Sequence, residues 1–356
     1  MGEPLQPLIL ERFPLGAQWP TADPFLFVAH HRDAYPPGTD TMGPQAKLDG
    51  RRIGMDFDNI DGWNMYHGSS VPGFPQHPHR GFETITYVRQ GLIDHSDSMG
   101  ATARFGRGDT QWMTAGAGVV HAEMFPLVNR DRPNPLELFQ IWLNLPQANK
   151  MVDPYFTMNW SENQARHISK QPHGELEMVT IVGSISATDN TGELISQHAP
   201  QPPPDSWAAQ TNSQVAITHI RLTGQVSLTV APADDDVVNR TLYVFDGGSV
   251  GVGRGGETID SGVGVRVKAD QPLLIGGVGQ NTDAEVECLI MQGRPIGEPV
   301  AQYGPFVMND KAEVITAFED YQRTQFGGWP WPNPDPVHDH TKPRFARHVG
   351  GTVEHP

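Results

Sequence analysis

The stretch FPQHPHRGFE, residues 74–83, contains two histidines one residue apart and a glutamate shortly after them. On a β-strand, side chains at positions i and i+2 point to the same face, so His77 and His79 can approach one point while Pro78 faces away. The same parity continues through Gly81, Glu83, Ile85 and Tyr87, where the face becomes apolar as the lining of a small β-barrel would. The spacing predicts a strand that presents two imidazoles to one ligand.

A second pair with the same spacing follows in GVVHAEMF, where His121 and Glu123 stand two residues apart. An isolated His-x-His among 15 histidines is often a coincidence of the surface. The independent second pair favours a shared metal site, because three neutral imidazoles and one carboxylate suit Fe, Mn, Ni, Cu or Zn. The candidate ligands are His77, His79, His121 and Glu123.

Short strand patterns cover most of the chain and predict an all-β fold. The composition, with 38 Gly, 32 Pro and 19% charged residues, suits short strands joined by tight turns. FETITYVRQGLID, residues 82–94, predicts a hairpin with its turn at Gln90-Gly91. A second series of strands begins near residue 177 and reads as a second copy of the architecture, with a connection near 150–172.

The end of the chain carries a clear helix signal. Asp310 and Glu313 have the spacing of a capping box, and a helix is expected over 311–326. The Pro- and His-rich residues 329–356 have little to bury and predict a surface-hugging or disordered tail. The expected organisation is a metal-binding domain at 1–165, a second domain at 166–303, a helical segment at 304–328 and the tail.

Charge and cysteine content exclude several classes of function. The formal net charge is -16 and no basic face is evident, which disfavours direct nucleic-acid binding. A single cysteine, Cys288, excludes an internal disulfide or a thiolate cluster. Neither a signal peptide nor a membrane segment is predicted, so we expect a cytoplasmic protein, or a nuclear one if the source is eukaryotic.

The two motifs resemble those of the cupin superfamily and, more narrowly, of pirins. The runs HPHRGFET, QWMTAGAG and HAEM are similar to pirin sequences, as is EPVAQYGPFVMN at 298–309, and the likeness covers most of 20–326. It implies a bicupin of two stacked barrels of the jelly-roll type, with a C-terminal helix and one divalent metal in the N-terminal barrel. The second series contains no His-x-His, which agrees.

The resemblance also implies a ligand set and an activity. His77, His79, His121 and Glu123 would bind the metal, with Fe(II) the first choice and Mn, Ni, Cu or Zn the alternatives, and Glu83 would be an outer partner or an alternative ligand. Pirin-like cupins are associated with quercetin 2,3-dioxygenase activity, which implies O2 and a flavonol-like enol as substrates. Glu123 would then also serve as proton acceptor. Phe74, Phe82, Trp112 and Phe125 are candidates to pack a flat ring, and a role in the core is the equally weighted alternative.

An alternative from another functional class remains open. Pirins are also implied to act as iron-linked coregulators that bind a transcription factor or a metabolic enzyme. The surface near Arg80 and the insertion-like stretch around residues 31–70 would then meet the protein partner.

Three further features favour ordinary structural roles. GVGRGG at 251–256 matches G-x-G-x-x-G, but it lies between strand-like segments, so its glycines are expected in turns. His30, His31 and His67 are either residues of the pocket mouth or surface histidines. The pair His338 and His340, around Asp339, is expected in a solvated tail.

Overall fold

The computed structural model describes residues 7–171, 173–277 and 285–356. From the N-terminus to the end of the site region, the strands are β1 (Ile9–Pro14), β2 (Phe25–Tyr35), β3 (Gly73–His79), β4 (Phe82–Gln90), β5 (Leu92–Asp97), β6 (Thr102–Gly106), β7 (Thr110–Thr114), β8 (Val119–Met124), β9 (Asn134–Asn144) and β10 (Tyr155–Asn159). The next series is β11 (Ala165–Gln171), β12 (Gly174–Val182), β13 (Ser184–Asp189), β14 (Leu194–His198), β15 (Ala216–Gly224), β16 (Ser227–Val230), β17 (Asn239–Gly247), β18 (Val250–Val252), β19 (Glu257–Ile259), β20 (Val263–Lys268), β21 (Leu273–Gly277) and β22 (Glu285–Gly293). The last strands are β23 (Ala301–Tyr303), β24 (Phe306–Met308), β25 (Phe345–Arg347) and β26 (Val353–Glu354).

One α-helix, α1 (Lys311–Thr324), lies among the described residues, with short 3-10 turns at Ile60–Gly62, Gln147–Asn149, Ser161–Asn163, Trp207–Ala209 and Gln325–Gly327. The capping box predicted at its start is present, because Asp310 accepts from the Glu313 backbone amide and the Glu313 side chain accepts in return. The helix ends at Gln325, which adopts a left-handed conformation. None of the described helices is long and apolar enough to cross a membrane.

The fold is a bicupin, and its contacts divide the chain into two compact units. The N-cupin unit comprises Ala29–Glu162 and Glu298–Pro356, and the C-cupin unit comprises the described residues up to Val28 and Asn163–Gly297. The first strand belongs to the C-cupin unit because β1 pairs with β20. The predicted domain limits, 1–165 and 166–303, remain predictions about where two independently folding domains begin and end.

The N-cupin unit is built on two antiparallel sheets. One has the strand order β10-β7-β4-β9-β2, and the other has the order β26-β25-β6-β5-β8-β3. Strands β5 to β8 are buried along their whole length. Their core includes Ile93, Phe105 and Leu138.

The C-cupin unit repeats this plan with sheets ordered β1-β20-β17-β22-β15-β12-β11 and β14-β13-β16-β21-β18-β19. Its core is aliphatic and includes Leu228, Leu242 and Ile290. Gly253, Gly255 and Gly256 of the GVGRGG run lie in the turn between β18 and β19, which pair as a hairpin, so the expectation of turn glycines is confirmed for these three, whereas Gly251 lies in β18. The prediction of two β-rich copies is confirmed as well.

The predicted hairpin at Gln90-Gly91 is wrong. Strand β4 pairs with β7 and β9, whereas β5 pairs with β6 and β8 in the other sheet. The chain turns at Gly91, where φ is 81°, and crosses from one sheet to the next. Alternation along one strand does not specify its partner, and a turn between sheets has the same local sequence as a turn within one.

The prediction that His79 and Glu83 lie on the same face of one continuous strand is also wrong. Strand β3 ends at His79, and the chain turns at Gly81 before β4 begins in the other sheet. Gly81 has a φ of +85°, and a Cβ there would lie 2.0 Å from the carbonyl oxygen of Val307. A glycine is therefore required at this corner, and the face of β3 does not continue into β4.

Residues 329–356 were predicted to form a surface-hugging or disordered tail, and much of this segment is ordered within the N-cupin unit. Strand β25 pairs with β6, with Phe345 opposite Arg104, and Phe345 is buried. The Arg104 guanidinium binds the Asp94 carboxylate and donates to the carbonyl oxygens of His338, Asp339 and Lys342. The buried ion pair provides the anchor, because the tail backbone supplies three carbonyl acceptors for the remaining N–H groups of Arg104.

Candidate metal centre

Strands β3 and β8 bring the predicted histidines together. The two strands are antiparallel, with His77 directly opposite His121 and a bulge between Phe74 and His77. The ring centroids of His77 and His79 lie 4.4 and 4.9 Å from that of His121, and 4.8 Å from each other. One nitrogen from each of the three rings lies within 4.8 Å of the other two, so the cluster can hold a metal ion.

Backbone carbonyls orient two of these rings. Nδ1 of His77 lies 2.9 Å from the carbonyl oxygen of Pro75, and Nδ1 of His79 lies 3.4 Å from that of Pro305. A carbonyl oxygen only accepts, so Nδ1 donates its proton in both rings and Nε2 keeps its lone pair. Metal-binding histidines are commonly fixed in this way.

The third ring, His121, has an unusual environment. Its side chain is fully buried, and neither of its ring nitrogens has a hydrogen-bond partner within the described part of the chain. A buried polar group without a partner costs about 1–3 kcal/mol, so this position needs an occupant. A metal ion bound by one nitrogen meets part of that need, and the donor set of three imidazoles fits such an ion.

Burial also keeps the three rings neutral. It lowers the pKa of His77 to about 4 and the pKa values of His79 and His121 well below the ordinary value for histidine. The neighbouring imidazoles lower them further, because adjacent positive charges repel. At neutral pH the rings therefore offer lone pairs for a cation.

Glu123 lies next to the histidine cluster rather than within it. Its Oε2 atom lies 4.0 Å from Nε2 of His121. Thr86 donates to Oε1 at 3.1 Å and the Gln140 amide donates to Oε2 at 3.3 Å, so the carboxylate is held from the opposite sheet. Burial raises the pKa of Glu123, while His95, Thr86 and Gln140 oppose that rise.

Glu83 lies on the other face of β4. Thr86 points toward Glu123, and Glu83 has the opposite parity on the same strand. The Glu83 carboxylate accepts a hydrogen bond of 2.7 Å from the Thr114 hydroxyl. Trp112, opposite Ile85 on the neighbouring strand, also lies on the face away from Thr86.

The other predicted aromatics are closer to the histidines. The ring of Phe82 lies 5.0 Å from that of His79, and the ring of Phe74 lies 6.3 Å from that of His77. Phe125 packs against Phe74 at 6.0 Å. The wall near His77 is therefore aromatic.

Three polar residues of this region, His95, Asp97 and Gln111, were not predicted from sequence. His95 lies opposite Glu123 and Asp97 lies opposite His121 on β5, and Nε2 of His95 is 3.2 Å from the Asp97 carboxylate. Gln111 lies opposite Thr86, is fully buried, and has no partner in the described chain for either amide atom. The sequence signal for the first two was a His-x-Asp pair with the spacing of the two recognised motifs.

Four other histidines named from the sequence, His30, His31, His67 and His338, each make a hydrogen bond. His30 contacts Glu137 at 2.9 Å, and His31 contacts the Tyr66 hydroxyl at 2.9 Å. His67 is exposed and bonds the carbonyl oxygen of Gly54. His338 is half-buried beside Thr102, so the expectation that it is solvated is wrong.

Comparison with known proteins identifies the family of this chain. Residues 11–143 match the Pirin family model, and residues 217–327 match the model of the pirin C-terminal cupin domain. A Pirin-like protein of Caulobacter vibrioides is 34% identical over 80% of this chain and 90% of its own length. This chain belongs to the pirin family.

Other relatives of this pirin carry an activity in their names. A Vibrio cholerae protein, provisionally named a quercetin 2,3-dioxygenase, is 34% identical over 72% of this chain and 80% of its own length. A crystal structure titled quercetin 2,3-dioxygenase, from Acinetobacter baumannii, superposes with a TM-score of 0.65 at 23% identity, covering 90% of this chain and 98% of that one. At that identity the superposition supports the shared fold.

Proposed function

We propose that this pirin is a metal-dependent dioxygenase acting on a flavonol-like enol at a mononuclear site in the N-cupin unit. The observation that carries the proposal is the buried His121, whose two ring nitrogens lack partners in the described chain while two further oriented imidazoles lie beside it. The site geometry supports a metal centre, and the names of the relatives support the choice of reaction.

The proposed ligands are Nε2 of His77, Nε2 of His79, one ring nitrogen of His121 and the Glu123 carboxylate. Fe(II) is the first choice of metal, with Mn, Ni, Cu and Zn as alternatives for the same donor set. A bound redox-active metal would supply the means for dioxygen to react with an organic substrate. The chain's own task is to hold the ligands and place the substrate.

Glu123 is the proposed proton acceptor. Its burial and its raised pKa suit a carboxylate that takes a proton from a substrate hydroxyl, because a base works best when its pKa approaches the working pH. Thr86 and Gln140 keep the two carboxylate oxygens in place. The aromatic wall of Phe74 and Phe82 offers flat surfaces for a planar ring system.

A flavonol follows from the Vibrio cholerae relative, whose provisional name specifies quercetin. Quercetin is planar and carries an acidic enolic hydroxyl, which matches the aromatic wall and the adjacent carboxylate. The substrate class is therefore proposed as flavonols and similar enols.

Oxygen consumption tests the proposal. The purified protein is reconstituted separately with Fe(II), Mn(II) and Ni(II), and oxygen uptake is followed with quercetin. We expect uptake that depends on metal, that is lost in His121→Ala, and that persists in His355→Ala, which removes an exposed histidine. No uptake by a fully loaded protein would reject quercetin as the substrate and would favour the alternative of a metal-dependent protein that binds a transcription factor or an enzyme.

A further inference from the structure

The candidate metal centre is nearest to solvent beside His77. The side chain of His77 is partly exposed, whereas His79 and His121 are buried. Phe74 lies on the same strand as His77, pairs across the sheet with Glu123, and has its ring 6.3 Å from the imidazole of His77. A substrate bound beside His77 would therefore extend toward solvent along the ring of Phe74.

Phe57 continues this aromatic wall to the surface. Its ring centroid lies 6.5 Å from that of Phe74, and it also packs against Tyr66 at 5.4 Å and His67 at 5.2 Å. Despite these contacts, 48% of Phe57 is exposed. A row of rings thus runs from His77 through Phe74 to an exposed aromatic side chain, and an exposed apolar group beside a site is typical of a ligand-binding surface.

The loop that carries Phe57 is fixed by its neighbours. Asp56, the preceding residue, exchanges two backbone hydrogen bonds of 2.9 Å with Tyr66. Its carboxylate accepts a hydrogen bond of 2.9 Å from the buried guanidinium of Arg51, which lies 3.3 Å from the centroid of the Trp63 ring. An exposed ring on a fixed loop loses little conformational freedom when a ligand binds, so its contact contributes more to affinity.

The charges next to Phe57 on this loop compensate each other. Arg52 donates through Nε and Nη2 to the two carboxylate oxygens of Asp58. Arg51 pairs with Asp56. These four residues leave no net charge beside the ring, and the surface at Phe57 therefore suits an uncharged aromatic group better than an ion.

We propose that Phe57 stacks against the aryl ring of the substrate and thereby selects flavonols over enols that lack this ring. The inference rests on the proposed function, because the enol end of the substrate would lie at the metal centre. In a flavonol the separate aryl ring is attached next to the enol carbon and extends away from it. Offset stacking of that ring on Phe57 makes Phe57 a specificity-determining residue.

Binding to the full-length, Zn(II)-loaded protein tests this role without turnover, because Zn(II) has no redox chemistry. The two probes are 3-hydroxyflavone, which carries the aryl ring, and 3-hydroxychromone, which lacks it. We expect the wild type to bind 3-hydroxyflavone more tightly. Phe57→Ala should weaken 3-hydroxyflavone binding by roughly 3- to 10-fold, the range expected for an aromatic pair, and leave 3-hydroxychromone binding unchanged.

Two further variants separate this role from a structural one. Phe57→Tyr keeps an aromatic ring and should bind both probes as the wild type does. Tyr155→Ala removes a ring of similar exposure, 44%, elsewhere in the N-cupin unit and should change neither affinity. Equal weakening of both probes by Phe57→Ala would show a structural role and overturn the proposal, as would a wild type that binds the two probes equally or binds neither.

Oxygen uptake by the Fe(II)-loaded protein distinguishes failure of this inference from failure of the proposed function. We expect Phe57→Ala to raise the KM for quercetin by the same factor while kcat stays at the wild-type value. Selective binding of 3-hydroxyflavone without oxygen uptake would reject the dioxygenase and retain the role of Phe57. Oxygen uptake with no ring-selective loss of binding in Phe57→Ala would retain the reaction and overturn the role of Phe57.

Discussion

At the scale of single residues, the candidate site is defined by imidazole nitrogens that differ in their surroundings. His77 and His79 each use Nδ1 to bind a carbonyl oxygen, whereas His121 has a partner for neither nitrogen in the described chain. The first two rings are oriented before any ligand arrives. The third ring, that of His121, is buried, and a bound ligand would provide the partner that the described chain does not.

Substitution of Gln111 should change stability and activity in different ways. Its buried amide has no partner in the described chain and shares a cross-strand row with Thr86. Gln111→Leu should leave the free energy of unfolding unchanged or raise it by about 1 kcal/mol, because an unsatisfied polar group is replaced by an apolar one. Turnover should fall, since the variant removes a polar group facing the Glu123 side of the interior.

Denaturant unfolding and oxygen uptake with quercetin measure the two effects. Gln164→Leu, on a half-exposed position outside the row, is the control and should change neither by much. A Gln111→Leu protein that loses stability but keeps full turnover would mean that the amide supports the fold and has no role at the site.

The sequence predicted four site residues from a local pattern, whereas His95 and Asp97, which have the same spacing, were overlooked and residues without a pattern were missed. His77, His79, His121 and Glu123 could be chosen because a spacing of two puts side chains on one face of a strand. Gln111 and Thr86 come together only through the pairing of β4 with β7. Glu83 seemed to share the face of His79 because the corner at Gly81 cannot be recognised from alternation.

At the scale of elements, the corner between β3 and β4 is held by one buried cation. Nζ of Lys150 donates to the carbonyl oxygens of Gly81 and Val307 at 2.8 and 3.2 Å, and to the Asn144 side chain at 2.8 Å. Lys150 thereby connects the corner that follows His79 to strand β24.

Because Lys150 is buried, we expect the free energy of unfolding to rise with pH. Burial lowers its pKa in the folded protein from 10.5 to about 8. Below pH 8 both the folded and the unfolded states hold the proton, so its contribution is constant. Between about pH 8 and 10.5 the unfolded state binds more proton, so the free energy of unfolding should increase by up to about 3 kcal/mol.

Urea unfolding of the wild type and Lys150→Met at several pH values isolates this contribution, because other titrations cancel in the difference. The difference should grow in favour of the wild type from pH 8 to 10.5. Lys47→Met, which removes an exposed lysine, should keep the wild-type pH dependence. A constant difference between wild type and Lys150→Met would show that the folded-state pKa is not lowered.

The anchoring of the C-terminal segment gives a second prediction at this scale. Arg104→Leu would leave the buried Asp94 carboxylate without its partner and release the carbonyls of the tail. Breaking one side of a buried pair costs about 3–5 kcal/mol. The variant should unfold at lower denaturant, and protease should cut within 329–356 faster than in the wild type.

Arg132→Leu, which removes an exposed arginine of the same unit, is the control and should resemble the wild type in both assays. Unchanged protease resistance in Arg104→Leu would show that strand pairing alone holds the segment.

The types of the secondary-structure elements were easier to predict than the pairing of the strands. The capping box at Asp310 and the helix that follows were readable because both signals are local. The hairpin at Gln90-Gly91 was wrong, and the sequence left open whether the tail is surface-hugging or disordered, because both structures depend on distant strands, β8 for β5 and β6 for β25. A Pro-rich segment can be ordered when a buried arginine supplies donors for its carbonyls.

At the scale of the whole molecule, the chain forms two units, and the candidate metal centre lies in the N-cupin unit. Residues up to Val28 belong to the C-cupin unit, and residues from Glu298 onward belong to the N-cupin unit. The assignment of the N-terminal residues to the C-cupin unit was not predictable from sequence. It depends on the pairing of β1 with β20, which lies more than half of the sequence away. The bicupin fold itself was predictable from the two series of strands and the motif resemblance.

Calorimetry should show that the two units respond separately to metal. Adding Ni(II) at about 100 times its dissociation constant should stabilise the N-cupin unit by about 2.7 kcal/mol, because the ion binds the folded state. One thermal transition should therefore move to higher temperature while the other stays in place. His121→Ala should abolish the shift, and a single transition that moves as a whole would contradict the independence of the units.

The metal content of His121→Ala tests the central claim most directly. Wild type, His121→Ala and His355→Ala are reconstituted with Fe(II) under identical anaerobic conditions, freed of excess metal, and measured by mass spectrometry, with circular dichroism confirming the fold. The account predicts about one ion per chain in the wild type and in His355→Ala, and almost none in a folded His121→Ala. Full retention of metal by folded His121→Ala would contradict it.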